Sequence, residues 1–156
     1  MKVVVLDNLR SVYNVGSIFR TANALGIEKI YLGGITPTPL DKKGIRRKDF
    51  AKVALGAEDS VAWEYVESTH SCLSRLKEEG VYIVALEQDE RSVDYKSVII
   101  PEGKSSCFVV GAEVDGMSKE SLALCDVIAE IPMLGTKESL NVTIAFGVSL
   151  YRILGI

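Results

Sequence analysis

Short apolar runs recur along the chain: KVVVLD at 2–7, KIYLGG at 29–34, VYIVALE at 81–87, SCFVVG at 106–111 and VIAEIPM at 127–133. Most are rich in β-branched residues and continuous rather than alternating. Strands covered on both faces of a parallel sheet read this way. A further stretch, SVAWEYV at 60–66, fits another strand. Between the runs lie helical patterns at 15–26, 67–79, 118–125 and 138–154. Alternating strand and helix predicts an α/β domain, doubly wound around a parallel sheet with right-handed crossovers.

Two segments break the rhythm. Residues 35–59, ITPTPLDKKGIRRKDFAKVALGAED, hold two prolines, two glycines and a basic run, and predict a long loop with a short helix. Long irregular insertions in compact domains tend to be functional. The last helical pattern is apolar nearly all round. Val142, Ala145, Phe146, Ser149, Leu150 and Ile153 make one face, and Ile144, Val148, Tyr151 and Leu154 much of the other. Such a helix must be covered on most sides, which predicts a partner subunit packed helix to helix about a two-fold axis. Ser139 and Asn141 fall at its first turn, where backbone N–H groups are free and the dipole end is positive.

The 156 residues, 47% apolar and 25% charged, fit one globular domain with a sizeable core. No run reaches the length of a membrane span, and MKVVVLDN lacks the apolar stretch of a signal peptide. Cys72, Cys107 and Cys125 are odd in number and widely spaced, so neither a disulfide framework nor a metal site is expected, and a reducing cytoplasm is. The single histidine, His70, sits in a polar helical stretch and reads as a surface residue. That argues against histidine triads and multi-histidine metals.

Net charge is −3, an unpromising value for a nucleic-acid binder, but its distribution is uneven. Lys42, Lys43, Arg46, Arg47 and Lys48 gather within seven positions, leaving the rest of the chain strongly acidic. A positive patch on an acidic body fits an anionic partner touching one region; a solvated loop kept for solubility is the plainer account.

Ligands of open α/β sheets bind beyond the carboxyl ends of the strands, here the loops at 87–89, 111–116 and 132–139. No GxGxxG follows the first strand and no GxxxxGK[ST] occurs, which disfavours a standard dinucleotide site or P-loop. Three stretches carry more than scaffold. In YNVGSIFRTANALGI, 13–27, Asn14 could cap a helix, and Arg20 stands among small residues where it could reach a phosphate. In VVGAEVDGMSKESL, 109–122, Glu113 is a carboxylate beyond a buried strand, flanked by Gly111 and Gly116. The third is IPMLGTKESLNVTIAFGVSLYRIL, 131–154.

Together the three resemble the three motifs of the SpoU, or TrmH-like, branch of the SPOUT RNA methyltransferases. NVGSIFRTA is similar to the first, with Asn14, Gly16 and Arg20; VVGAEVDGMS to the second, with Gly111, Glu113 and Gly116. IPMLGTKESLNVTIA is similar to the third, with Ile131, Pro132, Met133, Gly135, Ser139, Leu140 and Asn141. Order and spacing agree, and the matching segments frame almost the whole chain.

The resemblance implies an α/β core whose C-terminal segment is threaded as a trefoil knot with loops 111–116 and 132–139, a rare exception to unknotted topology. It implies a homodimer through the C-terminal helix and knot region. It implies S-adenosylmethionine held largely by backbone groups, with Leu86, Gly111, Ile131, Met133 and Leu140 on the pocket. The reaction implied is methylation of a ribose 2′-hydroxyl in tRNA or rRNA, with Asn14, Arg20, Glu113, Ser139 and Asn141 at the active site. Family precedent gives Arg20 the hydroxyl proton. A guanidinium stays protonated, so clamping phosphate and stabilising the developing alkoxide suit it better, with the proton leaving late to phosphate, water or Glu113.

Many relatives carry an N-terminal extension that grips RNA, whereas this chain reaches its first strand at Lys2. The expectation is therefore a single domain over 1–156 without that extension. RNA capture would rest on the dimer surface, Lys42, Lys43, Arg46, Arg47, Lys48 and Arg10. Competing readings are a SPOUT enzyme that methylates a base, a non-catalytic RNA- or adenosylmethionine-binding protein, and a flavodoxin-like metabolite-binding domain.

Overall fold

The computed structural model describes residues 1–156. Seven strands form one sheet: β1 (Lys2–Asp7), β2 (Lys29–Gly33), β3 (Ala62–Val66), β4 (Tyr82–Leu86), β5 (Val93–Asp94), β6 (Ser106–Gly111) and β7 (Val127–Glu130). Every pairing is parallel, in the spatial order β3-β2-β1-β6-β4-β7-β5. The helices are α1 (Val12–Ala24), α2 (Lys48–Ala54), α3 (Ala57–Ser60), α4 (Thr69–Glu78), α5 (Lys119–Ala123) and α6 (Val142–Leu154). The doubly wound parallel-sheet expectation therefore holds.

The pleat sorts side chains between two cores. Val4 and Leu6 of β1 join Ile18, Phe19 and Ala22 of α1, Phe50 of α2 and Phe146 and Leu150 of α6 on one face. Val3 and Val5 point the other way, to Cys72, Leu73 and Leu76 of α4 and Leu122 of α5. The period-two alternation of a strand is hidden in KVVVLD because both faces are apolar. Phe19 and Phe50 meet edge to face with ring centroids 5.2 Å apart, fastening α2 to α1.

Several element boundaries differ from the sequence reading for local reasons. α1 starts at Val12, three residues before the expected 15, because Ser11 caps it: Asn14 N–H donates to Ser11 Oγ at 3.2 Å. Asn14 is thus not the cap. α6 starts at Val142 rather than 138, capped by Asn141, whose Oδ1 accepts from Thr143 N–H at 2.9 Å. Ser139 consequently precedes the helix instead of lying in its first turn. Residues 35–59 contain two short helices, not one, and a bridge between Leu40 and Arg46. The break between α2 and α3 comes from left-handed backbone at Leu55 and Gly56. The stretch at 60–66 supplies edge strand β3, and two-residue β5 on the opposite edge has no apolar run to announce it.

α6 is not covered all round within one chain. Phe146, Ser149 and Leu150 are buried, while Ile144, Val148 and Tyr151 remain 54%, 42% and 39% exposed. No helix is long and apolar enough to cross a membrane.

Candidate active site

The carboxyl ends of β4, β6 and β7 open onto one cleft, closed on its fourth side by the start of α6. Leu86, Gly111, Ile131, Met133 and Leu140 all line it, together with Val110, Ala129, Val142 and Phe146. Its polar rim comprises Glu87, Gln88, Glu113, Glu130 and Ser139. The parallel sheet creates this arrangement, because every strand delivers its following loop to the same edge.

Two loops make the walls. After β6 the chain turns tightly through Ala112–Gly116, which form an antiparallel bridge with Gly116 N–H donating to Ala112 O at 2.9 Å. Gly116 has φ +64°, a left-handed conformation that favours glycine. Gly111 serves close approach instead: a Cβ there would stand 2.7 Å from Met117 Cγ, so the returning strand could not lie against β6. The second wall is the run 131–141 between β7 and α6, which has no regular structure. No backbone N–H from Ile131 to Leu140 donates to a backbone carbonyl of the chain. Apart from the Glu138 carbonyl, which accepts from Gln88 Nε2, a stretch of backbone groups without partners in the chain thus borders an apolar floor.

The five candidate catalytic residues are distributed unevenly. Asn14, on the first turn and a half of α1, donates through Nδ2 to Glu113 Oε1 at 3.1 Å. Glu113 and Ser139 lie on the cleft. Asn141, expected at the active-site edge, is exposed, and its side-chain oxygen serves the α6 cap. Arg20 is also on α1 but does not line the cleft. Six residues past Asn14, it sits about 9 Å further along the helix and about 120° round it. Its side chain is exposed. One chain therefore assembles Asn14, Glu113 and Ser139 around the cleft and holds Arg20 on a separate helical face, which also carries Tyr13, 61% exposed.

The basic run is divided as well. Arg46 pairs with Glu58 at 3.4 Å and also with Asp59, and Arg47 with Asp49 at 3.1 Å. These contacts pin the 40–47 loop to α2 and α3. Lys42, Lys43 and Lys48 are exposed and make no ion pair within the chain, and Arg10 is likewise exposed.

The candidate set lacks Glu87 and Gln88, although the loop that contains them stands out. Glu87 Oε1 accepts from Gln88 N–H at 2.9 Å and Oε2 from Met117 N–H at 3.2 Å. Gln88 Nε2 donates to Glu138 O at 2.7 Å. Their position at the end of β4 was the only signal in the sequence. The cysteines play no part at the cleft. Burial pushes the Cys72 thiol up to about 11 and Cys125 up to about 12, and raises fully buried Cys107 as well. No group of three His, Cys, Asp or Glu side chains is placed to hold a metal ion.

Comparison with known proteins agrees with this geometry. A 23S rRNA (guanosine-2′-O-)-methyltransferase RlmB from Neisseria meningitidis is 32% identical over 148 residues, covering 95% of this chain and 56% of the relative. The crystal structure of the A. aeolicus TrmH/SpoU tRNA modifying enzyme superposes with TM-score 0.82 at 30% identity, over 97% of this chain and 73% of that one. An AdoMet-bound rRNA methyltransferase from Sinorhizobium meliloti gives TM-score 0.85 at 28% identity, over 97% and 55%. The chain spans somewhat over half the length of the curated relatives it matches. A family model described as the SpoU rRNA Methylase family matches residues 1–151, and the chain belongs to that family.

Proposed function

We propose that this chain is an S-adenosylmethionine-dependent RNA methyltransferase acting on a ribose 2′-hydroxyl of tRNA or rRNA. The observation that carries the reading is the cleft itself. Leu86, Gly111, Ile131, Met133 and Leu140, drawn from three separate segments, line one cavity at the end of the sheet, with Glu113 and Ser139 at its rim. The relatives' names supply the chemistry: a 23S rRNA guanosine 2′-O-methyltransferase, a tRNA modifying enzyme and an AdoMet-bound rRNA methyltransferase.

The residues present fit adenosylmethionine. An apolar floor of Leu86, Val110, Ala129 and Phe146 suits an adenine ring, and the free backbone groups of 131–140 suit its nitrogens and ribose. When bound, the cofactor supplies an activated methyl group on a sulfonium. The protein's share is positioning and charge. Asn14 holds Glu113 at the rim, Ser139 lies beside Leu140, and Asn141 fixes the start of α6, whose positive end faces the cleft. Arg20 clamps an RNA phosphate and stabilises the developing alkoxide; the proton leaves to phosphate, water or Glu113.

In this reading the loops 111–116 and 132–139 belong to a trefoil knot, and 1–156 is one methyltransferase domain. The enzyme is a homodimer, joined through α6 and the knot region. Support for the dimer comes from Ile144, Val148 and Tyr151, an exposed apolar stripe on α6, and from Arg20 lying off the cleft of its own chain. RNA rests on Lys42, Lys43, Lys48 and Arg10, with Arg46 and Arg47 shaping the loop that presents them, and the cytoplasm is the compartment.

The test is transfer of labelled methyl from adenosylmethionine to total RNA from a strain lacking the gene, followed by nucleoside analysis. Wild type should yield a 2′-O-methylnucleoside and Arg20→Ala should not. Label in a methylated base would overturn the ribose assignment. Absence of both label and adenosylmethionine binding would overturn the enzyme assignment.

A further inference from the structure

We propose that Glu87 and Gln88, neighbours at the end of β4, are positioning residues that each set one wall of the cleft. Glu87 acts through the 111–117 turn and Gln88 through the 132–139 run. The assignment of their kinetic roles rests on the methyltransferase reading above.

The two side chains reach different long-range partners. Glu87 uses both carboxylate oxygens on backbone N–H groups, one on Gln88 at 2.9 Å and one on Met117 at 3.2 Å. Charged acceptors make such bonds stronger than neutral ones. Met117 is where the turn carrying Glu113 comes back against β6. Gly116 is packed on the same carboxylate, since a Cβ there would stand 2.8 Å from Glu87 Oε2. The turn is thus gripped at its exit by Glu87, closed across its neck by Ala112 and Gly116, and tethered at Glu113 by Asn14. Releasing Glu87 frees the exit and lets Glu113 drift.

Gln88 faces the other wall. Its Nε2 donates at 2.7 Å to the carbonyl of Glu138, the residue before Ser139. Among the residues of 132–139, no other hydrogen bond to the body of the chain holds the run. Leu134, at 98% exposure, has no packing to hold it either. One side-chain amide therefore fixes the run that would contact the cofactor. Gln88→Met keeps nearly the same length and shape, offers no donor and adds no charge beside Glu87, so it removes this bond alone.

Hydrogen exchange by mass spectrometry and steady-state kinetics on the full chain test the proposal. Glu87→Ala should speed exchange across 112–117 and leave 132–139 unchanged; Gln88→Met should do the reverse. In kinetics Glu87→Ala should lower kcat about tenfold, the order of one hydrogen bond to a charged acceptor, with KM for adenosylmethionine within about twofold. Adding Glu87→Ala to Glu113→Ala should cost nothing more, because the first acts through the second. Gln88→Met should raise KM for adenosylmethionine about tenfold and spare kcat. Loosening of both loops by either variant, unchanged exchange in both, or full additivity with Glu113→Ala would overturn the division of roles. Should wild type neither bind adenosylmethionine nor transfer methyl, the function fails, and exchange alone decides whether the two clamps exist.

Discussion

Asn14 and Glu113 are joined by a 3.1 Å hydrogen bond across 99 positions of sequence. The bond links α1 to the turn after β6, and it uses one amide hydrogen and one carboxylate oxygen. Removing it should cost activity and not folding. Asn14→Ala is expected to reduce single-turnover methyl transfer about tenfold with stability within about 0.5 kcal/mol of wild type. Asn14→Asp sets two carboxylates against each other and should lose more. Equal activity of all three proteins would remove Asn14 from the site.

Arg20 makes its case by geometry as much as by charge. Arg20→Lys keeps the positive charge and loses the planar fork that grips phosphate in two places. Turnover should fall about a hundredfold for Arg20→Lys, and adenosylmethionine affinity by calorimetry should be unchanged, since the residue lies off the cleft. Turnover near that of wild type in the lysine variant would defeat both roles considered for this arginine.

RNA binding should weaken steeply with salt. Replacing Lys42, Lys43 and Lys48 together should flatten the slope of log affinity against log salt by about 2–3. Arg46→Ala should act differently, loosening the 40–47 loop by removing its pairs with Glu58 and Asp59. Filter binding over a salt series distinguishes these effects; a salt-independent affinity would rule out the patch.

The cysteines give a pH prediction. Folded thiols at about 11 for Cys72 and about 12 for Cys125 lie above the ordinary 9.0, so the unfolded chain ionises first as pH rises. Their contribution is complete below pH 9 and is lost progressively as pH climbs toward the folded values. Urea midpoints should therefore fall above pH 9, and the decline should shrink in Cys72→Ala and Cys125→Ala proteins. At pH 8, iodoacetamide should label the native protein slowly and the unfolded protein fast.

The interface between α1 and α2 is a packing joint. Phe50 is fully buried against Phe19, and Phe50→Ala should destabilise the protein by about 3–5 kcal/mol in urea titration. A loss below about 1 kcal/mol would mean that α2 collapses into the space.

Legibility in the sequence followed the physics of each element. Strands buried on both faces announced themselves as continuous apolar runs, and the ends of β4, β6 and β7 pointed to the cleft loops. Two-residue β5 has too few residues to carry a period. Ser11 outcompeted Asn14 as a cap because its hydroxyl falls three residues before a free N–H, leaving the asparagine amide free to reach Glu113. The α6 start moved to 142 because Asn141 bonds the backbone two residues on, a local choice no hydrophobic pattern records. The clamps made by Glu87 and Gln88 depend on long-range partners, Met117 and Glu138, which only the folded chain reveals.

The placement of β1 has a consequence for biosynthesis. Of the seven strands of this sheet β1 is translated first, yet it pairs on one side with β6, where Lys2 lies opposite Ser106. At ordinary ribosomal rates that partner arrives on the order of ten seconds later. Throughout the delay Val3, Val4, Val5 and Leu6 present an unpaired apolar edge to any neighbouring nascent chain. Yield of soluble protein should therefore depend on chaperone supply during synthesis more than on the stability of the finished fold.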